Sequence, residues 1–171
     1  EGVEREMVAR SPLNAGSPAW KFRVPRVDPT VFLPWVVERL TERGVEFERR
    51  GVESLAAFVQ EERARGCGVV VNCTGLGAAA LCGDGTMEAR RGQMAVVEFG
   101  AWRREASAAD ERTSVCYVVP RRRTLLLGGS NVARPVGEEA RADVSTREQI
   151  LSGMASRGVA HGAVVGEVVG M

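Results

Sequence analysis

The stretch Val69-Val70-Val71-Asn72-Cys73-Thr74-Gly75-Leu76-Gly77-Ala78-Ala79-Ala80 offers the most usable chemistry in this chain. An apolar, β-branched run delivers the backbone into a turn of small residues, and a short helix is expected to follow. At the carboxyl end of a parallel strand, such a turn is a favoured position for a nucleotide. Small side chains let a ligand approach the backbone, and amides left open there meet phosphate or ribose oxygens. Gly75-x-Gly77-x-x-Ala80 fits a relaxed dinucleotide fingerprint. Alone the motif is weak: glycine is frequent, with 20 in the chain. The acidic residue wanted about twenty positions on is met only by Glu98, inside another expected strand. A ligand-free strand-to-helix turn explains the motif by itself more simply.

A second candidate is Tyr117, the only tyrosine. It lies in the strand-like run Val115–Val119, where a phenol offers both a donor and an acceptor. The plain alternative is a strand aromatic with its hydroxyl at the surface. Cys67, Cys73, Cys82 and Cys116 include no Cys-x-x-Cys pair, and His161 is the only histidine. That donor set argues against a structural zinc site, and no metal is expected. Free thiols in apolar runs fit a reducing compartment. Arg121-Arg122-Arg123 is the one tight basic run and reads as a solvated turn between strands.

The elements that must position these residues fall into two characters. Residues 1–27 read as a loop with a short strand around Phe22–Val24. Asp28-Pro29 is a helix start, Asp as cap and Pro at the first helical position. Phe32, Trp35, Val36 and Leu40 recur at helical spacing up to Gly44, and Pro34 is expected to kink or delay that helix. Val45–Phe47 alternates like a strand, Ser54–Arg65 reads as a helix stopped by Gly66, and Val69–Val71 reads as a buried parallel strand. Helix, strand, helix, strand predicts a parallel α/β arrangement over residues 29–83. Beyond it, Gln93–Phe99, Val115–Val119 and Thr124–Leu127 follow one another through turns, which predicts an antiparallel sheet over residues 84–171. Ser145-Thr146-Arg147-Glu148 has the capping-box form and opens a helix to about Arg157, stopped by Gly158; Ala163–Val169 returns as a strand.

Composition bounds the function. A hydrophobic content of 44% in 171 residues suits a folded domain, or pieces of two. Twenty-three basic and 22 acidic residues balance to +1, which gives no general pull toward nucleic acid or an anionic membrane. No apolar run is long enough to span a bilayer. The charged start Glu1-Gly2-Val3-Glu4-Arg5-Glu6 is unlike a signal peptide and lacks methionine, so the chain is expected to begin inside a longer, non-secreted protein.

Five segments in order resemble one family. Trp35 through Val45, Arg50-Gly51-Val52-Glu53-Ser54, Asn72-Cys73-Thr74-Gly75, Arg91-Gly92-Gln93, and Tyr117-Val118-Val119-Pro120 with Thr124 through Gly129 are similar to segments of the FAD-dependent D-amino-acid and D-aspartate oxidases. The likeness covers roughly residues 32–130 and extends faintly through Gly166-Glu167. It implies an α/β fold: an incomplete FAD-binding parallel α/β domain (29–83) joined to a largely antiparallel substrate-binding sheet (84–171, truncated), with residues 1–28 closing a substrate-domain segment. It implies oxidation of a D-amino acid by FAD, then release of a 2-oxo acid and ammonia, with oxygen reduced to hydrogen peroxide. Carried over by position, Val52 and Thr74 would touch FAD, Cys73 and Gly75 would line the same turn, and the Tyr117 hydroxyl would hold the substrate carboxylate. Arg91 reads as a structural arginine at a strand start. No catalytic residue is assigned with certainty. The resemblance fits a cytoplasmic or peroxisomal protein and is compatible with a homodimer.

The departures are specific. The family's Gly-x-Gly-x-x-Gly loop has no counterpart in the chain, its substrate-binding arginine falls just beyond Met171, and its lid tyrosine is replaced by Thr113. Exposed sheet edges and unfilled core faces are therefore expected. Two other readings stay open: a non-catalytic fragment or interaction module that has lost FAD, and a small nucleotide-binding α/β domain of another kind. The last leaves Tyr117 through Gly129 unexplained.

Overall fold

The computed structural model describes residues 3–102, 106–110 and 116–171. Thr113 and Val115 lie outside the described residues, as do Glu1 and Gly2.

The α/β class expected from the sequence holds, with the antiparallel sheet as its paired part. The sheet is built on β3 (Ala89–Phe99), whose burial alternates strictly: Ala89, Arg91, Gln93, Ala95 and Val97 turn inward. That period of two is the geometry of a pleated strand with one covered face. Along one edge β3 pairs with β6 (Thr124–Gly128), and β6 with β5 (Cys116–Pro120), which in turn carries β4 (Ala108–Asp110). The amino-terminal end of β3 pairs with β7 (Val132–Arg134), and β8 (His161–Gly170) also pairs antiparallel with β3. Helix α4 (Val144–Ala155) packs on the covered face. Ile150 and Met154 meet Ala95, Val97, Val118, Leu125 and Leu127 there. Leu13, expected in a loop, is fully buried in the same core.

Asp143, not Ser145, caps α4: its carboxylate accepts from the backbone N–H and hydroxyl of Thr146 and from the Ser145 hydroxyl. The helix thus begins earlier than the capping-box spacing suggests, because a carboxylate reaches three donors where a hydroxyl reaches fewer. These bonds, led by the Thr146 hydroxyl, pull the Asp143 carboxyl down to about 2 from 3.8. A depressed carboxyl pKa contributes stability that is present above the unfolded value and lost as pH falls through the folded one. Denaturation midpoints should therefore drop between about pH 3.8 and 2. That drop should be shallower in Asp143→Asn, which keeps a cap but not the titration; equal slopes would remove Asp143 from the account.

The amino-terminal region departs most from expectation. The strand foreseen at Phe22–Val24 lies at Ala19–Phe22 (β2) and pairs with β1 (Arg5–Val8), Arg5 opposite Phe22. Pro25 lacks an N–H for a longer ladder. Helix α1 (Pro29–Thr41) starts where Asp28-Pro29 foretold, with Asp28 accepting from Thr30, but runs unbroken through Pro34. Proline there removes a single bond, to the Thr30 carbonyl, and the rest of the helix carries on. Helix α2 (Leu55–Ala64) falls within the expected span Ser54–Arg65, with Ser54 as its cap.

Val45–Phe47 and Val69–Val71 are not strands in this structure. Val69 and Val71 are 76% and 75% exposed, and no ladder among the described residues includes either run. A strand is completed by its neighbours' backbone groups, and the described residues place none beside these two runs. Among the described residues, no helix is long and apolar enough to cross a membrane.

Candidate functional site

The turn after Val71 is built by Asn72. Its side-chain oxygen accepts from the Thr74 N–H at 3.1 Å and the Thr74 hydroxyl at 2.7 Å. Its amide nitrogen donates to the Cys82 sulfur at 3.4 Å, tying the turn to the short helix α3 (Ala78–Cys82). Such local bonding is the usual habit of asparagine and threonine in turns. Gly75 then takes a φ of +57°, a left-handed conformation that glycine reaches without strain, and a single turn of 3₁₀ helix leads into α3. Cys73, Thr74 and Gly75 are all exposed. A side chain at Gly75 would meet nothing within 4 Å, so the backbone is open to a ligand. The Thr74 proton is used inside the turn, and the hydroxyl keeps acceptor capacity. Val52 is half-buried in the segment between α1 and α2, which an Arg50–Glu61 ion pair and the Arg50 guanidinium over Phe58 (5.3 Å) fasten to α2.

Tyr117 stands elsewhere, on β5, between Ala109 of β4 and Gly128 of β6. Paired residues share a face, so Tyr117, Gly128, Met94 and Val168 form one row across the sheet face opposite α4. Burial pushes the Tyr117 phenol above its ordinary pKa of 10. It is therefore neutral at physiological pH and retains its proton for donation. The adjoining row, Val119 and Leu126, floors a cleft of about 820 Å³ whose other wall is the start of α1, with Phe32 and Trp35 stacked at 5.9 Å. Arg121 and Arg122 rim it. As expected of a turn, Arg122 and Arg123 are exposed, and Arg121 closes back on Thr124. No hydrogen bond among the described residues joins the Thr74 turn to Val52 or to Tyr117.

A polar cluster that sequence reasoning missed supports the sheet from its covered face. Gln93, 1% exposed, donates to the Asp143 carbonyl and to Glu167, both at 2.8 Å, and accepts from the Asp143 N–H at 2.9 Å. Glu167 also receives Arg147 at 2.7 Å. Arg91 reaches the Arg141 carbonyl and the Thr146 hydroxyl, the structural role expected of it. The available signal was two polar residues, Arg91 and Gln93, at inward positions of an otherwise apolar alternation.

The chain's sequence matches the model of the FAD dependent oxidoreductase family over residues 2–170. It is 39% identical over 117 residues to a D-amino-acid oxidase of Streptomyces coelicolor, covering 68% of this chain and 34% of that protein. A D-amino-acid oxidase of Dictyostelium discoideum is 35% identical over 106 residues, covering 61% and 28%. One of Rubrobacter xylanophilus is 32% identical over 136 residues, covering 77% and 38%. The chain thus spans about a third of the length of the curated relatives it matches.

Proposed function

The chain belongs to the FAD-dependent oxidoreductase family, and on that premise we propose that it forms part of a D-amino-acid oxidase. The overall reaction converts a D-amino acid, water and oxygen into a 2-oxo acid, ammonia and hydrogen peroxide. Residues 29–83 serve the cofactor side and residues 84–171 the substrate side. The observation that carries this reading is the presence in one chain of an open, hydroxyl-bearing turn at Asn72–Gly75 and a lone, half-buried phenol on the face of the sheet opposite α4.

The turn suits FAD on its own geometry. Gly75 presents bare backbone, Thr74 offers an acceptor, and no charged side chain stands among residues 72–77 to oppose a neutral ribityl or flavin edge. Thr74 and Gly75 would hold the cofactor there, with Cys73 lining the turn and Val52 adding apolar contact. Bound FAD supplies the acceptor for the hydride from the substrate α-carbon. Tyr117 donates to the substrate carboxylate, and its half-buried ring keeps water from one side of that bond. A hydrogen bond to an anion in such a place orients the α-carbon as well as binding it.

Tyr117→Phe in the flavin-loaded protein should raise KM for a D-amino acid about fivefold, the loss of one hydrogen bond of about 1 kcal/mol, with kcat changed less. An unchanged KM would remove Tyr117 from the site. A colourless protein that releases no flavin on denaturation would favour the non-catalytic reading.

A further inference from the structure

We propose that Gly128 and Gly129 are positioning residues for Tyr117: their missing side chains form the notch that seats its ring and sets the place of its hydroxyl. The functional consequence rests on the reading of Tyr117 as the carboxylate donor; the seat itself does not.

Tyr117 lies directly opposite Gly128 in the β5–β6 ladder. A Cβ on Gly128 would fall 2.0 Å from the ring Cζ, 2.1 Å from Cε2 and 2.6 Å from Cδ2. It would thus overlap the ring. A Cβ on Gly129 would stand 3.0 Å from the Tyr117 hydroxyl and 3.0 Å from the Gln93 carbonyl oxygen. Gly128 therefore admits the body of the ring, and Gly129 clears its tip. Neither glycine has a positive φ. The preceding Leu125, Leu126 and Leu127 show that the same strand carries large side chains without difficulty. Space for the ring accounts for Gly128, and room for the tip of the ring together with the Gln93 carbonyl accounts for Gly129. An aromatic laid across a strand glycine also covers backbone that the glycine leaves bare, which favours this rotamer over an extended, solvated one. On the other side the cross-strand neighbour is Ala109, a further small residue.

Because Tyr117 is the only tyrosine, ultraviolet titration reports on this phenol alone. Gly128→Ala should bring its titration midpoint down toward the ordinary value as the ring is expelled; an unmoved midpoint would overturn the proposal. A double-mutant cycle gives a second, independent reading. Gly128→Ala should lower the melting temperature of the native chain yet leave that of Tyr117→Ala unchanged or raised. Equal losses in both backgrounds would show that the glycine serves something other than the ring. If Gly128→Ala alone fails to fold, recovery of folding in the double variant supports the seat, and continued failure refutes it. In the flavin-loaded protein, Gly128→Ala should raise KM about fivefold, and combining it with Tyr117→Phe should add little. Should Tyr117→Phe leave KM unaltered, the carboxylate assignment fails, while the cycle still decides the seat.

Discussion

Gln93→Leu is expected to destabilise the fold by about 2 kcal/mol, because it strips partners from part-buried polar groups without removing them. Leucine matches glutamine closely in size, so little packing is lost. Left behind are the N–H and carbonyl of Asp143, both bonded to the Gln93 side chain, and one carboxylate oxygen of Glu167. A fully buried orphan costs about 1–3 kcal/mol; these three bonds are part-buried, so each loss is smaller, and Glu167 is partly compensated by Arg147. The effect reaches several elements at once. Gln93 sits in β3, Asp143 caps α4 and Glu167 lies in β8, so one amide fixes a helix start and a neighbouring strand to the central strand. Chemical denaturation of Gln93→Leu against the parent chain measures this. A loss below about 0.5 kcal/mol, the range of an ordinary surface substitution, would mean that the cluster does not hold the sheet to α4.

Leu127→Ala should cost about 3 kcal/mol, within the span of about 2–5 for truncating a core leucine. Leu127 has no exposed surface, pairs with Val118 and Ala95, and belongs to the core shared with Ile150 and Met154. The removed methyls leave a cavity that the rigid ladder on both sides closes poorly. Val69→Ala in the same chain should change stability by less than about 0.5 kcal/mol, since Val69 is 76% exposed. Comparable losses at the two positions would show that the valine run is packed, contrary to this structure.

Most helix ends, the start of α4 apart, and the antiparallel sheet were legible in the sequence because their causes are local. Asp28-Pro29 and Ser54 supply caps, and Gly44, Gly66 and Gly158 adopt the positive φ that ends each helix. What depended on distant partners was not legible. Nothing in residues 1–27 signals that Leu13 enters the core, or that β2 pairs with β1. The short strands β4 and β7 carry too few residues for a pattern. Val69–Val71 had the strongest strand signal and pairs with nothing described, since periodicity reports what a strand would bury and not whether a neighbour is there.

The candidate site divides along the same line. Asn72-Cys73-Thr74-Gly75 is a turn by its own chemistry, and the structure forms it through bonds within the motif. Tyr117 could be placed on a strand, but its seat on Gly128 needed the β5–β6 register, which two runs separated by a turn do not specify by composition.

The most direct test is to mix the purified, flavin-containing protein with D- and L-amino acids without oxygen and follow the visible flavin band. The account predicts bleaching by a D-amino acid, none by its L-enantiomer, and a higher half-saturating concentration in Tyr117→Phe. A flavin that no D-amino acid bleaches would contradict it.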